Sequence, residues 1–307
     1  MTVPTTSTAA TGATTGAVGG DARSPRVSGA VLVLIAMIVL HTGSALATEL
    51  FHTLGPAGTT WLRLTLAAAV LLVLTGRSLR RVMRTTPRAD LLATVALGAV
   101  SAGMMLLFSE AAARLPLGTA TALEFLGPLA VAVAASRRRG QLAWLGLAAA
   151  GVLLLTSPWS GAANTVGILF GLGSATCWAL YVIGTAYVGS RFSAQHGLAV
   201  SLTVAAFVAA PFGAPAALTA LDLTTLAAAA GIAVLMPLVP FLLEMRAFQH
   251  IGKATYGTLA GLEPAVSLLA GLVLIAQTPT AAQITGTALV VTAGIGAARG
   301  ESRAARA

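Results

Sequence analysis

Ten apolar runs follow one another along the chain, at about 29–50, 57–75, 91–112, 117–136, 142–157, 166–189, 198–217, 224–245, 254–275 and 280–298. Each is about 16 to 24 residues long. At 1.5 Å per helical residue, most of them cover a hydrocarbon core of roughly 30 Å, and the shortest must stand nearly upright. The connections are short, and several carry turn chemistry, as at Gly55-Pro56, Leu115-Pro116 and Ser157-Pro158. None has room for a separate soluble domain. The pattern predicts an all-α integral membrane protein with ten transmembrane helices.

Residues 1–27 are rich in Thr, Ala, Gly and Ser without apolar periodicity, and read as a disordered tail. No basic residue precedes Arg23, and the next apolar run is too long for the core of a signal peptide. That run is therefore expected to be the first span.

Composition sharpens this picture. Of 307 residues, 57% are hydrophobic and only 9% charged. A soluble domain carries about 25% charged residues, so the solvent for most of this chain is lipid. The net charge of +9 does not point to nucleic acid, because the basic residues form short clusters between apolar runs without interleaved aromatics. Lys253 is the only lysine among 18 basic residues, and with the many Ala and Gly this Arg bias hints at a GC-rich bacterial genome.

Arginine placement orients the chain. With the N-terminus inside, Arg23 and Arg26 lie in the tail, Arg77, Arg80, Arg81, Arg84 and Arg88 in the second loop, and Arg137, Arg138 and Arg139 in the fourth. Arg191 falls in the sixth loop, Arg246 and Lys253 in the eighth, and Arg299, Arg303 and Arg306 in a tail at 299–307. Sixteen of the 18 basic residues are then inside, Arg114 is outside and Arg63 is within a span. The positive-inside rule places both termini in the cytoplasm and supports an even number of spans.

The chain also repeats weakly. At an offset of 136, Leu123, Leu126 and Pro128 align with Leu259, Leu262 and Pro264, as do Ala111 with Ala247 and Thr119 with Thr255. Five spans follow five spans, at 28–157 and 165–298. An odd number per half inverts the second half relative to the first, as in many alternating-access transporters.

Ionisable residues inside spans are costly in lipid and are candidates for function. They are Glu49, Arg63, Glu110, Glu124, Glu244 and Glu263, with His41. Glu49, Glu110 and Glu244 lie near span ends and can serve as interfacial anchors or local ion-pair partners. Arg63 can bind a substrate carboxylate or pair with a glutamate. Glu124 and Glu263 lie deeper, each beside a proline. Pro128 leaves the carbonyl of Glu124 without its helical donor, and Pro264 that of Ala260. A carboxylate on a loosened helix makes a polar site at membrane depth, although the prolines can equally bend helices for packing. His41 and Ser44 lie one turn apart; His41 is either a hydrogen-bonded packing residue or one that lines a cavity or transfers protons. Trp178 and Tyr181 are at helical spacing and form either an amphipathic wall or ordinary core. Small residues at Gly167, Gly171 and Ala175, and at Gly257 and Gly261, predict close helix approach.

Other chemistry finds no support. Cys177 is the only cysteine, so it forms no disulfide within the chain and reads as packing. The chain has no G-x-S-x-G elbow, H-E-x-x-H, P-loop or strand-linked G-x-G-x-x-G. We expect no enzymatic activity, no cofactor and no metal, and any transport to be secondary or passive or to draw on a partner.

Four stretches carry a family resemblance: IAMIVLHTGSALATELF at 35–51, LPLGTATALEFLGPLAVAVAASRR at 115–138, GSATCWALYVIG at 173–184, and LEMRAFQHIGKATYGTLAGLEPAVSLLAG at 243–271. They resemble the EamA type of the drug/metabolite transporter superfamily, in its threonine/homoserine exporter group. The segment A-L-E-F-x-G-P-L-A-V at 122–131 is the most specific. The resemblance implies two inverted five-helix EamA repeats, cytoplasmic termini, a central cavity, a peripheral fifth and tenth span, and export of small amino acids. Two positions depart from it: His41 stands where the family commonly has an amide, and Ala276-Gln277 where it has Gly-Glu.

The resulting expectation is a secondary exporter in the bacterial cytoplasmic membrane, with a small-molecule substrate and lipid as its partners. Its cavity is expected to be lined by His41, Ser44, Arg63, Glu124, Trp178, Tyr181 and Glu263, with helix breaks at Pro128 and Pro264. Proton coupling through Glu124 or Glu263 and pairing into a homodimer are open to it. The rival readings are an exporter of a drug, pigment or purine, a scaffold or channel, and an intramembrane enzyme. Growth rescue by substrate separates the first, and two-state accessibility of cavity cysteines the second; the third lacks any nucleophile–base or metal spacing.

Overall fold

A computed structural model describes residues 29–136, 139–157, 159, 164–189, 193–247, 250–251 and 253–304. The tail expected at 1–27 and the residues Arg137, Arg138, Arg191 and Arg306 lie outside these. The elements in chain order are α1 Gly29–Thr85, α2 Arg88–Ala112, α3 Leu117–Ser136, α4 Leu142–Thr156, α5 Thr165–Gly189 and α6 Ala194–Thr219. They continue with α7 Leu223–Ala233, a π-turn at Val234–Leu238, α8 Val239–Ala247, α9 Lys253–Ala260, α10 Glu263–Leu274 and α11 Ala281–Ala304. Among the described residues there is no strand. Among the described residues, eight helical stretches are long and apolar enough to cross a membrane by length and composition, and α4 is a shorter apolar helix of 15 residues.

Local chemistry explains the boundaries. α1 has 57 residues and one non-helical position, Gly55, at φ 70° and ψ 164°. Positive φ suits glycine, and the following Pro56 pushes its predecessor to an extended ψ. The turn expected at Gly55-Pro56 is thus a sharp break between two arms. The second arm continues to Thr85, so Arg77, Arg80, Arg81 and Arg84 ride on an exposed helical extension rather than in a loop. Arg and Leu are strong helix formers, and the helix stops only where Pro87 forbids it. α11 likewise runs through Arg299 and Arg303 of the expected tail. Pro116 precedes α3, and its carbonyl accepts from the N–H groups of Thr119 and Ala120. Asp222 caps α7, with Oδ1 accepting from Thr225 N at 2.6 Å. Hydrogen bonds from Thr225 hold that carboxyl below its usual range.

Helices associate in lipid through close fit, because the surrounding tails are as apolar as the core. α1 packs along α6 through Leu64, Ala67, Ala68 and Leu71 against Ala199, Leu202, Ala205 and Ala209. α2 and α3 both pack on α5. A Cβ added at Gly167 would fall 2.9 Å from Leu115 Cγ, and one at Gly171 2.9 Å from Leu123 Cδ1. A Cβ at Gly127 would run into the carbonyl of Ala175. The expected Gly167, Gly171 and Ala175 stripe is therefore the face that seats α3. α4 and α11 pack together, with a Cβ at Gly151 falling 2.7 Å from Gly286 O. Neither contributes a side chain to the central cavity. Outward faces carry bare apolar residues such as Val73 at 85% exposure and Phe207 at 75%, which suit a lipid solvent.

Candidate functional site: a central polar cavity

All seven expected cavity residues line one cavity of about 330 Å³. The two arms of α1 supply His41 and Ser44 from the first and Arg63 from the second. α3 supplies Glu124, α5 supplies Trp178 and Tyr181, and the first turn of α10 supplies Glu263. Trp178 is held edge-on to Phe125, with centroids 6.3 Å apart at 73°.

Arg63 is only 2% exposed and makes no ion pair with a described residue. Its Nη1 donates to Met236 Sδ at 2.6 Å, while Nε and Nη2 are buried without a partner. Glu124 is near enough for its charge to act on Arg63, but its Oε1 accepts from Ser174 Oγ at 2.5 Å. His41 is 3% exposed, with both ring nitrogens unpartnered. The cavity therefore holds spare guanidinium and imidazole nitrogens together with carboxylates. A zwitterion needs both.

A model of the EamA-like transporter family matches residues 165–297. Over 272 residues, covering 87% of this chain and 90% of the relative, the chain is 34% identical to the threonine/homoserine exporter RhtA of Salmonella typhimurium strain LT2. It is 33% identical, over the same extent, to RhtA of Escherichia coli K12. The chain belongs to the EamA-like transporter family. It is accordingly a multi-pass protein of a bacterial membrane. A crystal structure of a protein 21% identical in sequence superposes with a TM-score of 0.58 over 88% of this chain and 97% of its own, and speaks to the fold alone.

The EamA-family cavity also gathers residues that the sequence reading did not place there. Glu244, taken for an anchor or local ion-pair partner near a span end, lines the cavity and accepts from Tyr256 Oη at 3.1 Å. Glu244 and Glu124 are both close enough to act electrostatically on Glu263. Met236, Ser101, Thr121 and Ser201 also line it. Proximity of Glu244 to Tyr256 and Glu263 in the sequence was a usable signal; nothing local marked Met236. Glu110 pairs with Arg114 one turn on, and that guanidinium also stacks over Phe170 at 5.0 Å. Glu49 is exposed near the end of the first arm of α1.

The two prolines of this EamA-family chain behave differently. Pro128 lies inside α3, which continues through it, so no interruption occurs there. The second half is interrupted between α9 and α10, at Gly261 and Leu262, and Pro264 sits in the first turn of α10. Gly261 is pressed against α11, where an added Cβ would lie 3.1 Å from Ile295 N. Gln277, at the departure from the family pattern, accepts from Leu117 N at 2.9 Å and so ties the second half to the start of α3. Among the described residues no His, Cys, Asp and Glu group is arranged to hold a metal ion.

Proposed function

We propose that this chain is a secondary exporter of small amino acids, threonine and homoserine foremost, working by alternating access across the cytoplasmic membrane. It is a transporter and not an enzyme. The observation that carries this reading is the buried Arg63 guanidinium, with Nε and Nη2 free, facing a cavity that also holds Glu124, Glu244 and Glu263. Guanidinium matches a carboxylate bidentately, and carboxylates match an ammonium group. The relatives named for threonine and homoserine export supply the substrate class.

The chain crosses ten times, with both termini cytoplasmic. Supporting this, 57 residues of helix span about 85 Å, more than two bilayer cores, and break at Gly55. With α4, the eight long stretches then make ten crossings. The two EamA repeats are 28–157 and 165–298, flanked by cytoplasmic tails. Glu124 or Glu263 exchanges protons; one proton crossing 100 mV supplies about 2.3 kcal/mol, more than tenfold in gradient.

The test is efflux of labelled threonine and homoserine from vesicles loaded with them, with and without a proton gradient. Efflux above protein-free vesicles for these amino acids, and not for a purine or a drug, is the expected result. Equal efflux of all solutes would mark a pore, and none at all would remove the exporter reading.

A further inference from the structure

Arg63 holds one acceptor, and it is a poor one. Met236 Sδ is in contact with Nη1 of Arg63 and accepts from Oγ of Ser44 at 3.2 Å. Thioether sulfur is a weak acceptor, whereas a guanidinium forms its strongest contacts with the paired oxygens of a carboxylate. The two groups are in direct contact, with no room for a water between them. The sulfur thus occupies the position from which a carboxylate would reach both Arg63 and Ser44.

Met236 also sits at a joint in the backbone. It lies in the π-turn Val234–Leu238 between α7 and α8, with φ −153° and ψ 103°, outside either helix's regular ladder. Such turns recur at functional sites. On its other side it rests on α1, where a Cβ added at Gly43 would fall 3.0 Å from Met236 Cβ.

We propose that Met236 is a placeholder for the carboxylate of the cargo. Between loads its sulfur caps Arg63 and Ser44, so the guanidinium is never buried without any acceptor, which would be costly. An entering carboxylate displaces it, exchanging a weak neutral contact for a charge-assisted pair. Cargo binding and movement of the α7–α8 joint become one event, and a cargo without a carboxylate does not trigger it. This rests on the exporter reading and deepens it.

The test is titration calorimetry on the full chain in detergent, with threonine, threoninol (which lacks the carboxylate) and acetate as probes. Met236→Leu removes the acceptor and Met236→Gln strengthens it at similar length. Threonine is expected to bind about three- to tenfold more tightly to Met236→Leu, and about as much more weakly to Met236→Gln. Acetate should repeat that order, and threoninol should be indifferent to both changes. Melting curves verify folding, and Met236→Ala stands in for Leu if that variant is lost. The placeholder is overturned if all three proteins bind threonine and acetate within about twofold. It is equally overturned if both variants weaken threonine and threoninol alike, which is what a packing role produces. Acetate binding in the expected order with no amino-acid binding would keep the placeholder and remove the exporter reading; binding of none of the probes would remove both.

Discussion

Thr121 and Ser267 share a hydrogen bond of 2.7 Å between buried hydroxyls, 146 residues apart in the chain. Thr121 lies three residues before Glu124 on α3, and Ser267 four residues after Glu263 on α10. Each hydroxyl is therefore on the same helical face as its carboxylate. The bond ties together the helices that carry Glu124 and Glu263, one from each half of the chain. Either single substitution, Thr121→Val or Ser267→Ala, strands the other hydroxyl and should cost roughly 1 kcal/mol. The double variant should recover about 0.6 kcal/mol of the summed loss, the usual size for membrane hydrogen bonds. Reversible unfolding in detergent measures the cycle, and zero coupling would make the contact incidental.

Arg63→Gln keeps a hydrogen-bonding side chain but removes the charge. Without a cargo that guanidinium has only the weak Met236 sulfur contact, and Nε and Nη2 are unpartnered. Loss of one charge-assisted bond lowers transport by about tenfold or more. Arg63→Lys retains the charge without the fork and should fall between. Wild-type efflux from well-folded Arg63→Gln would remove the carboxylate-binding role.

Glu124→Gln and Glu263→Gln preserve size and abolish ionisation. The carboxylate that exchanges protons should, once amidated, leave efflux insensitive to external pH while expression is kept. The other should retain the pH dependence or lose expression. Efflux measured across a pH series separates them, and wild-type pH dependence in both variants would exclude proton exchange at either.

The two prolines should not respond alike. Pro128 stands inside continuous α3, so Pro128→Ala restores a donor to Glu124 and gains up to about 3 kcal/mol of helix propensity. Pro264 sits in the first turn of α10, where a missing N–H has no intrahelical partner to lose. Pro264→Ala should leave stability within about 0.5 kcal/mol. We expect Pro128→Ala to melt higher and transport more slowly. Equal shifts in melting temperature for both variants would contradict the asymmetry.

Topology is open to a reporter that works only outside the cytoplasm. It should be silent after Ala307 and at the Thr86–Pro87 turn, and active when inserted near Gly161. Activity at the C-terminus would overturn the even number of crossings.

The apolar runs, the Gly55-Pro56 break and the in-span charges were legible because each is a local property: transfer into lipid, backbone sterics, and the cost of burying charge. His41, Ser44, Arg63, Glu124, Trp178, Tyr181 and Glu263 all reach one cavity because polar side chains at membrane depth have few other places to go. What faces what was not legible. These helices are apolar all round, so no stripe marks an inner side, and lipid does not distinguish core from surface. Only packing brings Met236 to Arg63 across 173 residues, Ser174 to Glu124 across 50, and Gln277 to Leu117 across 160. Packing likewise presses Gly261 onto α11 and coincides with the interruption falling before Pro264 while α3 runs on through Pro128. The sequence determined which residues are too polar for lipid; the close fit of small residues decided which of them meet.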